Sequence, residues 1–213
     1  MFELKDVRYK AVLDIPTLVI QPGLITGLIG DSGSGKTTLL KLLCKLVSPT
    51  AGVIMLNGKS LAEINSVEHR QSVVMLSQKP HLFTGTIKDN LLKGLMYHKK
   101  TCSDDVLIQW LNTVNLNKPL SESINNLSGG EAQRLALARV FVLDAAIYLM
   151  DEPSSALDEK SELFLIETIV NFVKANQKTL IMVTHNQSIA KKYCDTVIEF
   201  TNGHVKEGRL DDQ

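Results

Sequence analysis

The sequence predicts an α/β fold built on a mostly parallel sheet, and three observations carry that prediction. Apolar runs of strand length occur at Gly23 to Gly30, Val73 to Leu76, Ala146 to Met150 and Leu180 to Thr184. They lack the apolar–polar alternation of a half-solvated strand, which suits parallel strands covered on both faces. Helical periodicity fills the stretches between them, and strand, helix, strand in that order calls for a layered α/β core. Composition agrees: 213 residues, 44% apolar and 22% charged, supply a sizeable core for one domain, or one with a modest insertion.

Each element has a local reason. Gly23 to Gly30 reads as a buried strand ending in glycine. Thr37 to Val47 then places Leu39, Leu40, Leu42, Leu43 and Leu46 on one helical face. From Thr86 to Asn126 the pattern is helical, with Ile108, Leu111, Val114 and Leu116 sharing a face and no convincing strand. Residues 86–126 are therefore expected as a helical insertion into a core made of 1–85 and 127–213. Glu131 to Leu143 and Lys160 to Asn176 are further helices. Near the end, Val197 to Phe200 and His204 to Lys206 flank Asn202-Gly203, a pair that tolerates positive φ and signals a hairpin.

Several classes are excluded at this level. Lys plus Arg is 23 and Asp plus Glu is 23, so the net charge is zero, against a nucleic-acid binder that relies on bulk positive charge. No apolar run approaches the roughly 20 residues that span a bilayer. Met1 to Asp6 shows no basic segment leading into an apolar one, so no secretory signal is expected. Cys44, Cys102 and Cys194 are widely separated with no metal-ligand spacing, which fits a reducing cytosol better than a disulfide framework.

The chemistry lies in three short segments. Gly30-Asp31-Ser32-Gly33-Ser34-Gly35-Lys36-Thr37, followed by Thr38, matches the phosphate-loop pattern G-x-x-x-x-G-K-[ST] between a predicted strand and a predicted helix. Glycines let successive N–H groups turn inward onto phosphate oxygens, and the helix N-terminus adds donors and partial positive charge. Lys36 would reach the β and γ phosphates, and Thr37 would place its hydroxyl on Mg²⁺. The second segment is Ile147 to Met150, ending in Asp151-Glu152. It brings two carboxylates to the carboxyl edge of a parallel sheet, where ligands of open α/β sheets sit. Asp151 would hold Mg²⁺ and Glu152 would polarise an attacking water. The third segment, Leu127-Ser128-Gly129-Gly130-Glu131, opens a helix with a serine and two glycines. It reads either as a second anion site or as a plain N-cap and turn.

Together these segments resemble the ATP-binding cassette (ABC) ATPases, the nucleotide-binding subunits of ABC transporters, with the family's motifs present in family order from about Glu3 to Gly208. The phosphate loop is Gly30 to Thr37. The Q-loop glutamine is Gln78, in Met75-Leu76-Ser77-Gln78-Lys79-Pro80. The signature is Leu127 to Glu131, running into Gln133-Arg134. Pro153 follows Asp151-Glu152, the D-loop is Ser155-Ala156-Leu157-Asp158, and the switch histidine is His185 after Thr184. The signature carries Glu131 where glutamine is commoner.

The resemblance implies a P-loop NTPase fold with an N-terminal antiparallel β portion and the helical insertion. It implies that two copies, or this chain and a related cassette, pair head to tail around two MgATP molecules. Ser128, Gly129 and Gly130 would then contact the γ-phosphate held at the partner's Lys36. Gln78 would sense the γ-phosphate or Mg²⁺, His185 would bind the γ-phosphate and orient Glu152, and Asp158 would sit at the interface. Tyr9 has two readings: the aromatic residue that stacks on adenine, with Ala11 as the other register, or a core-facing ring. The resemblance further implies a separate integral membrane permease as partner, with the chain peripheral on the cytoplasmic face of the cell membrane and no nucleic-acid partner. The stretch Lys79 to Ile87 is similar to small bacterial exporter-type cassettes, where Leu82 and Phe83 either touch the permease or tuck into the helical insertion. The alternative from the same family is a soluble ATPase of iron–sulfur assembly. Only 28 residues follow His185 (213 minus 185), too few for an appended regulatory domain.

Overall fold

In the computed structural model, residues 1–79, 81–97, 100–155 and 157–208 are described. In chain order they form β1 (Phe2–Tyr9), β2 (Leu13–Ile20), β3 (Ile25–Gly30), α1 (Lys36–Leu43), β4 (Ala51–Leu56), β5 (Lys59–Ser60), α2 (Ser66–Ser72) and β6 (Val73–Leu76). There follow α3 (Ile87–Tyr97), α4 (Asp104–Thr113), a 3₁₀ turn (Ile124–Asn126), α5 (Gly129–Phe141), β7 (Ile147–Asp151), α6 (Glu159–Ala175), β8 (Thr179–Val183), α7 (Gln187–Tyr193), β9 (Thr196–Thr201) and β10 (His204–Gly208).

The chain divides into two compact units. One holds Met1–Met75, Ala146–Glu152 and the residues from Val173 onward; the other holds Leu76–Ala145 and Pro153–Phe172. The first unit carries two sheets. The larger has the order β10-β9-β3-β8-β7-β6. In it β3 runs parallel to both β8 and β9, and β7 runs parallel to β8. All five residues of β7 and all five of β8 are buried, as their unbroken apolar text demands. The smaller sheet, β2-β1-β4-β5, is antiparallel. The chain end folds as the Asn-Gly pair indicates: β9 and β10 pair antiparallel across Asn202 at φ 49° and Gly203 at φ 83°. This is the α/β architecture read from the sequence, antiparallel portion included.

One apolar core joins the two sheets of this unit. Phe2, Leu4 and Ile15 from the antiparallel sheet meet Leu149, Ile181 and Val183 from the parallel one, with Leu39, Leu40, Leu42 and Leu43 of α1 against both. Each such side chain contributes about 1.5–3 kcal/mol of burial. Helix α1 stops at Leu43, earlier than the leucine periodicity indicates. Lys45 turns left-handed at φ 53°, and its ammonium spans to the carbonyls of Leu61 and Ile64. Leu46, the last residue of the expected face, is exposed.

The second unit is helical. α3 and α4 pack on α5, and Trp110, Phe141 and Phe172 from α4, α5 and α6 form an aromatic cluster with ring centroids 4.3–5.6 Å apart.

Candidate nucleotide site

The first unit builds a phosphate-binding loop where β3 ends and α1 begins. Gly30 and Gly35 must be glycine there. At φ 130° and 107°, respectively, a Cβ on Gly30 would collide with the Phe200 carbonyl, and one on Gly35 would collide with the Leu13 side chain. Lys36 opens α1 and is only 4% exposed. Its ammonium donates to the carbonyls of Gly30 (2.7 Å) and Asp31 (2.6 Å) and approaches Ser34 Oγ at 3.3 Å. The loop therefore encloses a centred positive charge. Burial holds the Lys36 pKa below the ordinary lysine value, partly offset by the carboxylates of Glu152 and Asp151.

Strand β7 lies two places from β3, with β8 between them. Thr37 Oγ donates to Asp151 Oδ1 at 2.9 Å. Asp151 is 5% exposed, and burial raises its pKa above the usual carboxylate value although the Thr37 hydroxyl opposes the shift. A hydroxyl and a carboxylate in contact are hard oxygen donors that fit Mg²⁺, an ion held by one or two carboxylates with phosphate oxygens and water completing the shell. Among the described residues no group of three or more His, Cys, Asp or Glu could hold a metal. A cation here would draw its remaining ligands from phosphate and water.

Glu152 follows Asp151 in a left-handed conformation, φ 48°, which costs a non-glycine residue on the order of 1–3 kcal/mol. Its N–H donates to the Val183 carbonyl at 3.3 Å, and its Oε1 accepts from His185 Nε2 at 2.7 Å. His185 is itself fixed by its neighbours. The Thr184 N–H bonds the Leu28 carbonyl at 3.1 Å, and the Asn186 N–H bonds Thr184 Oγ at 3.1 Å. Asn186 then caps α7 through Ser188 and Ile189. The unit thus gathers a buried cation, a hydroxyl–carboxylate pair and a carboxylate–imidazole pair. Tyr9, the last residue of β1, is half-buried against the core, with the Lys10 ammonium 5.3 Å from its ring centroid.

The second unit carries the other sequence-derived positions. Gln78 is exposed in the segment after β6. Ser128 caps α5 in a reciprocal box: its Oγ accepts from the Glu131 N–H at 3.3 Å, and Glu131 Oε2 accepts from the Ser128 N–H at 2.9 Å. Glutamate completes such a box as glutamine also can, and its charge strengthens the bond at the helix N-terminus, so this departure from the commoner signature has a local function. Among the described residues, those bonds leave the N–H groups of Gly129 and Gly130 and the Ser128 hydroxyl proton available to an anion. Gly130 lies against Leu157, where a Cβ would come within 3.2 Å of that side chain. Asp158 caps the start of α6 through Ser161. Pro80, between Gln78 and Phe83, and Ala156 of the D-loop lie outside the described residues. Phe83 is 44% exposed and Leu82 is half-buried.

Three polar side chains in this unit make contacts that the sequence did not show: Gln133 and Asn90 are buried and Arg139 is half-buried. Gln133 Nε2 donates to the Pro153 carbonyl at 2.6 Å. Asn90 and Arg139 hold the segment around Phe83. Gln133 and Arg139 bond main-chain carbonyls 20 and 58 residues away, and Asn90 bonds main-chain groups 4 and 7 residues back, none of which a spacing rule shows. Among the described residues no helix is long and apolar enough to cross a membrane.

Comparison with known proteins points the same way as the geometry. A family model described as ABC transporter matches residues 13–155, more than half of the chain. Protein STAR1 of rice, Oryza sativa subsp. japonica, is 37% identical over 203 residues, covering 95% of this chain and 59% of its own length. A probable ABC transporter ATP-binding/permease protein of Haemophilus influenzae is 37% identical over 204 residues, covering 92% of this chain and 36% of its own length. The chain therefore spans about three fifths and about one third of these two relatives. Among solved structures, a dimeric ATP-binding cassette in a post-hydrolysis state with ADP and Pi shares a TM-score of 0.87 and 26% identity, each chain covered in full.

Proposed function

The chain belongs to the ABC transporter family, and from that premise we propose that it is an ATP-binding subunit that binds and hydrolyses MgATP between two head-to-tail copies to drive a separate membrane permease. The observation that carries this reading is the meeting of the Glu152–His185 pair, 2.7 Å apart, with Lys36, Thr37 and Asp151 in one compact unit.

Each residue then has a task. Lys36 and the loop N–H groups from Gly30 to Thr37 hold the phosphates, with Thr38 continuing the helix start. Thr37 and Asp151 would hold Mg²⁺, and Gln78 would sense the γ-phosphate. Bound there, the ion would neutralise charge on the phosphates. Glu152 accepts the proton of the attacking water as the water adds to the γ-phosphorus and the bridging oxygen leaves with ADP. His185 orients Glu152 and hydrogen-bonds the γ-phosphate, so one side chain sets both the base and the charge it acts against. Ser128, Gly129 and Gly130 donate to the γ-phosphate on the partner copy, and Asp158 lies at the junction. Tyr9 stacks on adenine. The half-exposed Phe83 is the apolar contact for a permease on the cytoplasmic face of the membrane. No observation favours an iron–sulfur assembly role.

The test is the variant Glu152→Gln, which keeps the shape of the side chain and removes the base. With MgATP the expected result is loss of turnover and accumulation of a dimer in analytical ultracentrifugation. A variant that stays monomeric at saturating MgATP, or that hydrolyses ATP at the native rate, contradicts the reading.

A further inference from the structure

Asn90 sits on α3 at 0% exposure with its amide fully engaged. Its Oδ1 accepts from the Phe83 N–H at 2.8 Å, and its Nδ2 donates to the carbonyls of Phe83 (2.8 Å) and Thr86 (3.0 Å). One side-chain amide thus pairs with both main-chain groups of Phe83, as a neighbouring strand would. Arg139, eleven residues beyond Ser128 on the same α5, reaches the same place. Its guanidinium donates to the His81 carbonyl at 2.7 Å and approaches Asn90 Oδ1 at 3.4 Å, and it lies 5.1 Å from the Phe83 ring centroid. The Lys93 ammonium stands 5.6 Å from the same ring. All these groups belong to the second compact unit.

The segment His81–Phe83 has no regular secondary structure of its own. A loop presenting a half-exposed aromatic ring would ordinarily be the mobile part of a surface. Here both main-chain groups of Phe83 and the carbonyl of His81 are tied to two side chains, one of them on the helix that Ser128 caps. From Ser128 to Arg139 that helix runs about 16 Å, at 1.5 Å per residue. A displacement at one end is carried towards the other, because close-packed interiors have low compressibility and transmit strain.

We propose that Asn90 and Arg139 form a clasp that makes the His81–Phe83 segment and the signature helix one mechanical body, so that a permease seated on Phe83 and an ATP seated on Ser128 act on the same lever. This rests on the function proposed above and adds two positioning residues to it. Neither touches nucleotide; both set how the engagement of Ser128 is felt at Phe83. The fork of Arg139 is specific to the geometry: Nη2 serves His81 while Nη1 serves Asn90, whereas the donors of a lysine all sit on a single nitrogen and do not reproduce that planar spread.

The test reads hydrogen exchange at the Phe83 amide, in the full chain, with and without MgATP. The sole tryptophan, Trp110, packs in the same unit against Phe141, so its fluorescence checks that each variant keeps the helical fold. Without nucleotide, Asn90→Ala removes the acceptor of that amide and is expected to speed its exchange about tenfold. Should Asn90→Ala fail to fold, Arg139→Lys carries the nucleotide-free comparison through faster exchange of the same amide. In a Glu152→Gln background, MgATP is expected to change Phe83 exchange, and adding Arg139→Lys is expected to abolish that change while the dimer still forms. A purely structural role would speed exchange equally in both states and leave the nucleotide-dependent difference intact. Exchange at Phe83 that ignores Asn90→Ala and Arg139→Lys, or an ATP response equally large with Arg139→Lys, overturns the clasp. Failure of Glu152→Gln to pair with MgATP would instead overturn the function proposed above, and the nucleotide-free exchange would still decide the clasp.

Discussion

Lys36 and Asp151 are both nearly inaccessible to solvent, and burial shifts each towards its neutral form. Such charges are costly unless they face a ligand that needs them. A triphosphate with its cation is such a ligand, supplying negative charge to Lys36 and positive charge to Asp151. His69 illustrates a buried titratable group without a ligand. The ring is 3% exposed in the last turn of α2, and its Nε2–H donates to the carbonyl of Leu43, the last residue of α1, at 2.7 Å. Burial lowers its pKa below 6.5; the Leu43 carbonyl opposes the shift, and Lys45 and Arg70 add to it. The folded state therefore binds the His69 proton less readily than the unfolded chain. Stability from this group is complete above pH 6.5 and declines as pH falls below it. Thermal midpoints taken from about pH 7.5 down to about pH 5.5 are expected to fall more for the native chain than for His69→Asn. Equal pH slopes would remove His69 from this role. The site residues lie at different depths in the text. Lys36, Thr37, Asp151 and Glu152 are legible because phosphate chemistry demands them at fixed steps from glycines or a strand end. His69, Asn90 and Arg139 are not legible, because each bonds a main-chain carbonyl and any sequence can supply a carbonyl.

At the scale of elements, periodicity marked the buried strands well, because β3, β7 and β8 are covered on both faces and leave no polar alternation. The antiparallel strands β1, β2 and β4 gave no such signal and entered through family resemblance alone, since their exposed faces mix polar and apolar residues. Helix α1 shows the opposite failure: Leu46 continues the leucine pattern past the point where Lys45 breaks the helix. Helix α5 starts with a capping box, which has two measurable consequences. Ser128→Ala should cost about 1 kcal/mol of stability, besides its effect on nucleotide-driven pairing. Glu131 has its pKa lowered chiefly by the Ser128 N–H, with Lys118 assisting. A carboxylate depressed in the fold stabilises above its unfolded value, here 4.5, and loses that contribution as pH falls through the folded value. The gap in thermal midpoint between the native chain and Glu131→Gln should therefore shrink on acidification from about pH 6 to about pH 3.5. A gap independent of pH would mean that the carboxylate charge plays no part in the cap.

For the whole molecule, the division of labour between the two compact units matters most. The phosphate loop, the Thr37–Asp151 pair and the Glu152–His185 pair lie in one, and the Ser128 helix start lies in the other. Each is half of a site if two copies meet head to tail, and that is the central claim. Mixing two disabled chains tests it most directly. Lys36→Ala removes the phosphate-binding cation, and Ser128→Arg blocks the helix start, so each should be inactive alone. A mixed pair joins the sound Lys36 of one chain to the sound Ser128 of the other, restoring one of its two sites. With free exchange half of the dimers are mixed, so an equimolar mixture is expected to recover about a quarter of the native MgATPase rate. No recovery at any ratio, or full activity of Ser128→Arg by itself, would contradict a site shared between two copies.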